Sequence, residues 1–158
     1  MKMFATALAV GLIAAFAAPA FAQDISGEVL SAHNALRAKH GVPPLSWSGK
    51  LAATAQEWAN ACVFEHRTGS GLGENLAQGD GFPMSQFVND WYNEIGQYDF
   101  NNPGFSDGTG HFTQVVWKST KHVGCGVAQC SGGALLVCNY SPAGNLEGAY
   151  PENVPPVQ

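Results

Sequence analysis

Charged side chains are scarce in this chain of 158 residues, which has 7 lysines and arginines against 12 aspartates and glutamates. The basic residues are scattered, and no run of them occurs anywhere. Proteins that bind nucleic acid or an anionic membrane surface use clustered positive charge for that purpose. We therefore expect neither nucleic acid nor an anionic membrane surface as a partner.

The usual signatures of zinc domains and hydrolases are also missing. There is no His-Glu-x-x-His and no Cys-x-x-Cys, and the cysteines lack the paired spacing of zinc ligands. Residues 104–108 match the nucleophile pattern Gly-x-Ser-x-Gly around Ser106. That pattern needs a strand before it and a helix after it. Here Asn-Asn-Pro precedes and Thr-Gly follows, so we interpret the stretch as a loop.

Only one long hydrophobic run is present, at residues 3–18. Pro19 interrupts it, and Ala20-Phe21-Ala22 fits a small-x-small cleavage site. An uncleaved membrane anchor is the alternative, but the run is shorter than the ~20 residues that a spanning helix needs. We therefore predict a signal peptide over 1–22, one domain over 23–158, no stable membrane anchor, and export to the extracellular space, or to the periplasm in a bacterium.

The chain has four cysteines, an even number, in a protein predicted to be exported. This favours two disulfides over free thiols. Four cysteines allow three ways of pairing, and their spacing alone does not choose among them.

Helical periodicity dominates the first part of the chain and strand periodicity the last part. Apolar spacing predicts helices over 24–40, capped by Asp24 or Ser26, over 48–62 and over 83–95. Alternation predicts strands over 111–117, 123–129 and 134–140, with a Ser-Gly-Gly hairpin between the last two. Helices first and strands late indicate an α+β protein rather than alternating βαβ units.

Two imidazoles and two carboxylates stand out as candidate site residues: His66, Glu74, Glu94 and His111. Taken singly, each has a plain structural explanation, such as a helix-end imidazole or a loop carboxylate. If they converge, they could bind a divalent metal or transfer protons. Zinc suits the imidazoles, whereas magnesium prefers oxygen ligands. The carboxylates could hold a metal-bound water or orient the histidines.

Four motifs occur in order: HNALR at 33–37, GENL at 73–76, GHFTQVVW at 110–117 and LVCNYSPAGN at 136–145. Together they resemble the CAP superfamily of cysteine-rich secretory proteins, antigen five and pathogenesis-related proteins of the first group. The resemblance runs from about residue 25 to the C-terminus. The tracts WYNEI at 91–95 and YDFNNPGF at 98–105 are most similar to the plant and fungal branch.

The resemblance implies a three-layer α-β-α sandwich with an antiparallel central sheet. It also implies that His66, Glu74, Glu94 and His111 meet in one cleft, and that the disulfides are Cys62–Cys130 and Cys125–Cys138. The sequence departs from the family pattern near His66, because the loop to Glu74 is one residue longer and Leu72 replaces a common aromatic. His33, Asn34 and Arg37 we interpret as scaffold, with Arg37 tying its helix to a carboxylate or a chain end.

Three functions are compatible with this resemblance. The favoured one is a secreted protein that binds sterols or fatty acids, in a defence, antimicrobial or host-interaction role. Its ligand groove would be lined by some of the aromatics of residues 83–105: Phe87, Trp91, Tyr92, Tyr98, Phe100 and Phe105. The alternative is a metal-dependent hydrolase or peptidase, with Glu74 or Glu94 as the base. The third is a non-catalytic interaction domain that responds to zinc or pH. We expect no cofactor to be needed for folding.

Overall fold

The computed structural model describes residues 25–80 and 83–158, so the predicted signal peptide and the cap Asp24 lie outside the described residues. Five helices, one 3-10 turn and four strands are found there: α1 (Ile25–Lys39), β1 (Ser46–Trp47), α2 (Gly49–Asn60), β2 (Gly73–Gly79), α3 (Met84–Asn93), the 3-10 turn (Glu94–Gln97), α4 (Gly110–Val116), β3 (His122–Cys130), β4 (Gly133–Ser141) and α5 (Tyr150–Asn153). Within those ranges, no helix is long and apolar enough to cross a bilayer.

The strands form one sheet in the order β1-β3-β4-β2. β3 and β4 are an antiparallel hairpin, and β2 is antiparallel to β4 at one edge. The expected antiparallel sheet is nevertheless mixed, because β1 runs parallel to β3 at the other edge. Helix α2 packs on one face, while α1, α3 and α4 belong to the larger apolar core on the other. This is the α-β-α arrangement that the resemblance implies.

Two segments differ from the sequence predictions. Residues 111–117 were expected to form a strand, but they belong to helix α4 and its end. The alternation of apolar and polar residues misleads here because Thr113 and Gln114 are buried and hydrogen-bonded rather than solvated. Conversely, Glu74 was expected in a loop but lies in strand β2. Strand β2 lies at the edge of the sheet, and its polar residues interrupt the alternation of apolar and polar residues that would have predicted a strand.

Helix α2 follows its sequence signals closely. Ser48 caps its N-terminus by accepting the backbone N–H of Leu51 at 3.3 Å, as residues 48–62 predict. The helix lies close against β3 because Gly124 and Gly126 carry no side chain. A Cβ at Gly124 would come within 2.2 Å of a backbone nitrogen in α2. The two glycines therefore set the distance between this helix and the sheet.

Two disulfides tie the sandwich together. Cys62, just after α2, is bonded to Cys130 at the end of β3, and Cys125 is bonded to Cys138 across the β3–β4 hairpin. This is the pairing that the resemblance implies. The first bridge closes a long stretch of chain and restricts the unfolded state, by a few kcal/mol in typical cases.

His33 is completely buried in α1 and fully hydrogen-bonded as a neutral ring. Its Nδ1 donates to the carbonyl of Val29 at 2.8 Å, and its Nε2 accepts the hydroxyl of Tyr140 at 2.8 Å. Burial lowers the pKa of His33 to about 4, against the opposing effect of the Val29 hydrogen bond. Asn34, as expected of scaffold, binds both backbone groups of Leu45 through its amide.

Arg37 is buried without a carboxylate partner among the described residues, so the expected tie to a carboxylate or chain end is wrong. Its guanidinium donates instead to four main-chain carbonyls, those of Pro43, Val115, Trp117 and Thr120. Two of these lie at the C-terminal end of α4, where a positive charge is favourable. Burial lowers the pKa of Arg37 to about 10. Arg37 therefore joins α1 to α4 and the segment that follows it.

Candidate functional site

The first His–Glu pair lies at the sheet edge, where β2 begins. Glu74 Oε1 accepts from His66 Nδ1 and from the backbone N–H of Arg67, both at 3.0 Å, and Oε2 accepts from Asn139 Nδ2 at 3.2 Å. The carboxylate is 6% exposed, but the imidazole is 62% exposed. The hydrogen bond to Glu74 raises the pKa of His66, with its partial burial acting in the opposite direction.

The second pair lies at the start of α4. Glu94 Oε2 accepts the backbone N–H groups of His111 and Phe112, both at 3.0 Å, and Oε1 accepts His111 Nδ1 at 2.6 Å. The carboxylate thus caps a helix from another element, because the N-cap residue, Thr109, makes no side-chain cap bond. The His111 ring stacks on Trp91, with centroids 6.0 Å apart.

Strand β2 connects the two pairs. Glu74 belongs to the first pair, and the next residue, Asn75, donates its amide to the backbone carbonyl of His111 in the second pair at 3.2 Å. Asn75 also donates to the Tyr140 hydroxyl at 3.3 Å. The four predicted site residues are therefore brought together as two pairs beside one strand.

The hydrogen bonds decide which ring nitrogens are available. An ionised carboxylate can only accept, so Nδ1 of His66 and of His111 carries the proton and each neutral ring has its lone pair on Nε2. No other described residue is hydrogen-bonded to either Nε2. Each carboxylate already accepts three of the about four hydrogen bonds that an ionised carboxylate can accept, and one of the three orients its histidine.

The donor set for a metal is small. Within residues 25–80 and 83–158, no three His, Cys, Asp or Glu side chains are grouped so that they could hold a metal ion. His66 and His111 would have to hold zinc through Nε2, with water or another molecule completing its four ligands. Each of the two imidazoles offers zinc one nitrogen, and the described residues offer no oxygen-rich set for magnesium.

Most of the aromatics of residues 83–105, some of which were expected to line a groove, pack in the core. Trp91, Tyr92 and Tyr98 are buried, and Phe87 and Phe100 pack against the same core. Phe105 differs, because 61% of it is exposed.

Phe105 borders a groove of ≈ 560 Å³ between the segment before α4 and the segment leading into α5. The other lining residues are Pro103, Gly104, Asn145, Glu147, Gly148, Tyr150 and Pro151. The groove lies next to the second His–Glu pair, because Gly110, which precedes His111, is close to two residues of the groove. A Cβ added at Gly110 would lie 2.9 Å from the Phe105 ring, and the side-chain amide of Asn145 donates to the Gly110 carbonyl.

Tyr150 is a residue of this groove that sequence reasoning missed. It is 2% exposed, and its hydroxyl has no hydrogen-bond partner among the described residues. Burial raises the pKa of Tyr150 to about 12, with the nearby Tyr98 and Glu147 adding to the effect. Tyr150 follows the last of the four motifs, and no local sequence pattern marks it. Ser106, by contrast, lies in a loop, as interpreted, and its hydroxyl is bonded to that of Thr109.

Solved structures of similar shape define the class of fold. The crystal structure of NaASP2 with Zn²⁺ matches with a TM-score of 0.69 and 26% identity, covering 83% of this chain and 86% of that one. The structure of Schistosoma mansoni venom allergen-like protein 4 matches with a TM-score of 0.68 and 27% identity, covering 82% and 94%.

Sequence relatives define the family. The model of the cysteine-rich secretory protein family, CAP, matches residues 30–140, and the chain belongs to this family. It is 45% identical over 140 residues to protein PRY2 of Saccharomyces cerevisiae, covering 85% of this chain and 42% of that protein. It is 44% identical over 145 residues to Golgi-associated plant pathogenesis-related protein 1 of Homo sapiens, covering 85% and 94%. It is 41% identical over 139 residues to pathogenesis-related protein 1A of Nicotiana tabacum, covering 82% of each. The chain spans less than half the length of PRY2.

Proposed function

We propose that this protein is an exported, non-enzymatic binding protein. It holds a small apolar ligand with one polar group, such as a sterol or a fatty acid, in the groove beside Phe105. Relatives named as pathogenesis-related proteins support a defence, antimicrobial or host-interaction setting for this binding. The two disulfides support export, because such bonds persist in oxidising compartments.

The groove has the size and the mixture of groups that a small ligand needs. Ligand sites commonly measure about 300–1,000 Å³ and combine apolar walls with a few polar groups. Phe105 and Leu146 are 61% and 55% exposed on neighbouring segments, so this surface keeps apolar area in water. A ligand that covers Phe105 would remove that area from water, which is favourable in proportion to the area buried.

The observation that carries the proposal is that Tyr150, a residue lining this groove, has a buried hydroxyl with no hydrogen-bond partner among the described residues. A buried hydroxyl without a partner costs about 1–3 kcal/mol. A sterol hydroxyl or a fatty-acid carboxyl would supply the missing hydrogen bond while the apolar body of the ligand covers Phe105. The groove thus selects for a molecule that is mostly apolar and polar at one end.

Binding of a labelled sterol and a labelled fatty acid tests the proposal. We expect Phe105→Asp to reduce affinity by at least about tenfold, because it places a charge against the apolar body of the ligand. Phe64→Asp is the matched control, since Phe64 is also an exposed phenylalanine, at 55%, but does not line the groove. Equal loss in both variants, or no binding of either ligand by the unchanged protein, would refute the proposal.

A second proposed function is weak zinc binding by His66 and His111. Both rings are oriented through Nδ1 by a carboxylate, and this leaves Nε2 available, which is the usual arrangement of zinc-binding histidines. Zinc bound there would act as a Lewis acid or as a bridge to another molecule. We expect calorimetric titration to show binding that is lost in His66→Ala and in His111→Ala, and kept in His122→Ala. Binding that survives both substitutions would exclude this site.

The hydrolase alternative is less well supported by the same geometry. A general base must reach the water that it activates, yet Glu74 and Glu94 each already accept three of the about four hydrogen bonds open to a carboxylate, which leaves little room for a water. We therefore expect no zinc-dependent peptide or ester hydrolysis. Turnover that disappears in Glu74→Gln, while the fold survives, would overturn this expectation.

A further inference from the structure

A second groove, of ≈ 580 Å³, lies on the other side of the sheet from α1 and collects basic side chains that are far apart in the sequence. Lys50 comes from the first turn of α2, Arg67 from the loop between α2 and β2, and His122 from the start of β3. No aspartate or glutamate is among its described lining residues. The fold therefore creates a local positive surface on a chain whose formal net charge is −5.

The positive charges in this groove are not neutralised by the protein. Among the described residues, neither Lys50 nor Arg67 forms a salt bridge with a carboxylate. Glu74 accepts the backbone N–H of Arg67, but its oxygens are also bonded to His66 and Asn139. The two cations are thus available to a ligand.

Arg67 is also held in position. Its guanidinium lies over the ring of Trp58, 5.8 Å from the centroid, in a cation–π contact. A planar guanidinium binds sulfate or phosphate oxygens with two parallel hydrogen bonds, and an ordered one loses less entropy in doing so. Lys50 adds a second charge that could contact the same anion.

The remaining lining suits a sugar. Hydroxyls of Ser48 and Ser70 accept backbone N–H groups within their own turns, at 3.3 and 3.2 Å, which leaves their O–H groups free to donate. Leu72 is half-buried and adds apolar surface against which a sugar ring can pack, whereas Leu51 is buried. The groove is several times larger than one inorganic anion would need, so the anionic group would be attached to a larger body.

The overall negative charge limits the size of the partner. Exposed charges are screened beyond about 8 Å at physiological ionic strength. A sugar-sized ligand inside the groove meets the local cations, whereas a nucleic acid or a bilayer would also meet the acidic surface around it. We propose that this groove binds a sulfate or phosphate ester carried on a free sugar. This proposal is independent of the apolar groove beside Phe105.

Calorimetry with a fully sulfated heparin disaccharide and with its unsulfated counterpart tests the proposal. We expect binding of the sulfated sugar only, and at least about tenfold weaker binding by the double variant Lys50→Gln/Arg67→Gln, which loses both charge-assisted contacts. Lys118→Gln removes one charge from an exposed lysine outside the groove and should leave affinity nearly unchanged. Matching thermal unfolding midpoints would show that the variants fold alike.

Three results would overturn the proposal: unchanged binding by the double variant, an equal loss in Lys118→Gln, or equal binding of the unsulfated sugar. NMR shifts provide a second measurement on the unchanged protein. The sulfated sugar should shift amide signals in residues 48–54 and 66–72, and shifts confined to other segments would contradict the assignment. Vesicles of phosphatidylcholine with phosphatidylserine should not bind, and vesicle binding that the double variant loses would assign the groove to lipid headgroups instead of a free sugar.

Discussion

Replacing Glu94 by alanine should destabilise the protein more than any ordinary surface change. The side chain is 19% exposed, so water can replace it only in part. Its carboxylate accepts two backbone N–H groups at the start of α4 and the Nδ1 proton of His111. The substitution removes all three hydrogen bonds at once.

The expected cost follows from these contacts. A hydrogen bond to a charged group contributes about 1.5–3 kcal/mol, and a negative charge at a helix N-terminus about 0.3–1 kcal/mol. Allowing for partial access of water, we expect Glu94→Ala to lower the free energy of unfolding by about 3 kcal/mol. We expect Glu94→Gln to lower it by less, about 2 kcal/mol, because the amide oxygen can still accept the two backbone N–H groups, whereas the amide NH2 cannot accept the Nδ1 proton of His111.

Urea unfolding and thermal melts measure this effect. For a domain of this size, a loss of about 3 kcal/mol lowers the midpoint temperature by about 10 °C. Glu57→Ala is the control, because Glu57 is exposed on α2, and it should change stability by less than about 0.5 kcal/mol. If Glu94→Ala were as stable as Glu57→Ala, Glu94 would not be the cap of α4 that these distances indicate.

Three further predictions concern the buried parts of the fold. The pKa of His33 is about 4 in the folded protein and about 6.5 in the unfolded chain, so the unfolded chain binds the proton first as pH falls. The free energy of unfolding should therefore fall by up to about 3 kcal/mol as pH drops from about 6.5 to about 4. Urea unfolding that showed no such loss across this range would be contrary to the burial of a neutral ring. Tyr150→Phe should leave stability unchanged or slightly raised, because no described residue is hydrogen-bonded to its hydroxyl. Tyr92→Phe should cost about 1 kcal/mol, because it loses the hydrogen bond to His40. Equal losses of melting temperature in the two variants would be inconsistent with the hydrogen bonding described. Gly126→Ala should cost about 3 kcal/mol, since its Cβ would lie 2.3 Å from a backbone atom of α2. Gly27→Ala should stabilise the protein by about 0.5–1 kcal/mol, because Gly27 lies in α1 with open space around it. Melting shifts of the same sign in both variants would refute the close packing of β3 against α2.

The parts of the fold that sequence predicts well are those with strong local signals. Helix α2 has both a serine cap and a regular apolar face, and the β3–β4 hairpin has its Ser-Gly-Gly turn. Helix α4 was missed because its start is stabilised by Glu94, a residue of a different element. Strand β2 was missed because Glu74 and Asn75 have partners elsewhere in the fold. Neither stabilising contact is visible in a local window of sequence.

The candidate site, too, could be predicted from sequence only in part. The motifs indicated His66, Glu74, Glu94 and His111, but which carboxylate binds which imidazole, and through which nitrogen, depends on three-dimensional distances. Some of the aromatics of residues 83–105 were expected to line a groove, and the sequence did not show which ones, because spacing does not distinguish core aromatics from exposed ones. The unpartnered hydroxyl of Tyr150 and the basic groove at Arg67 could not be predicted, since both arise from residues distant in the chain.

A crystal structure of the complex with a bound sterol or fatty acid tests the central claim most directly. The account predicts ligand density in the groove between Phe105 and Tyr150, with the polar end of the ligand within hydrogen-bond distance of the Tyr150 hydroxyl. Density of a tightly bound ligand elsewhere on the molecule, with this groove filled only by water, would contradict it.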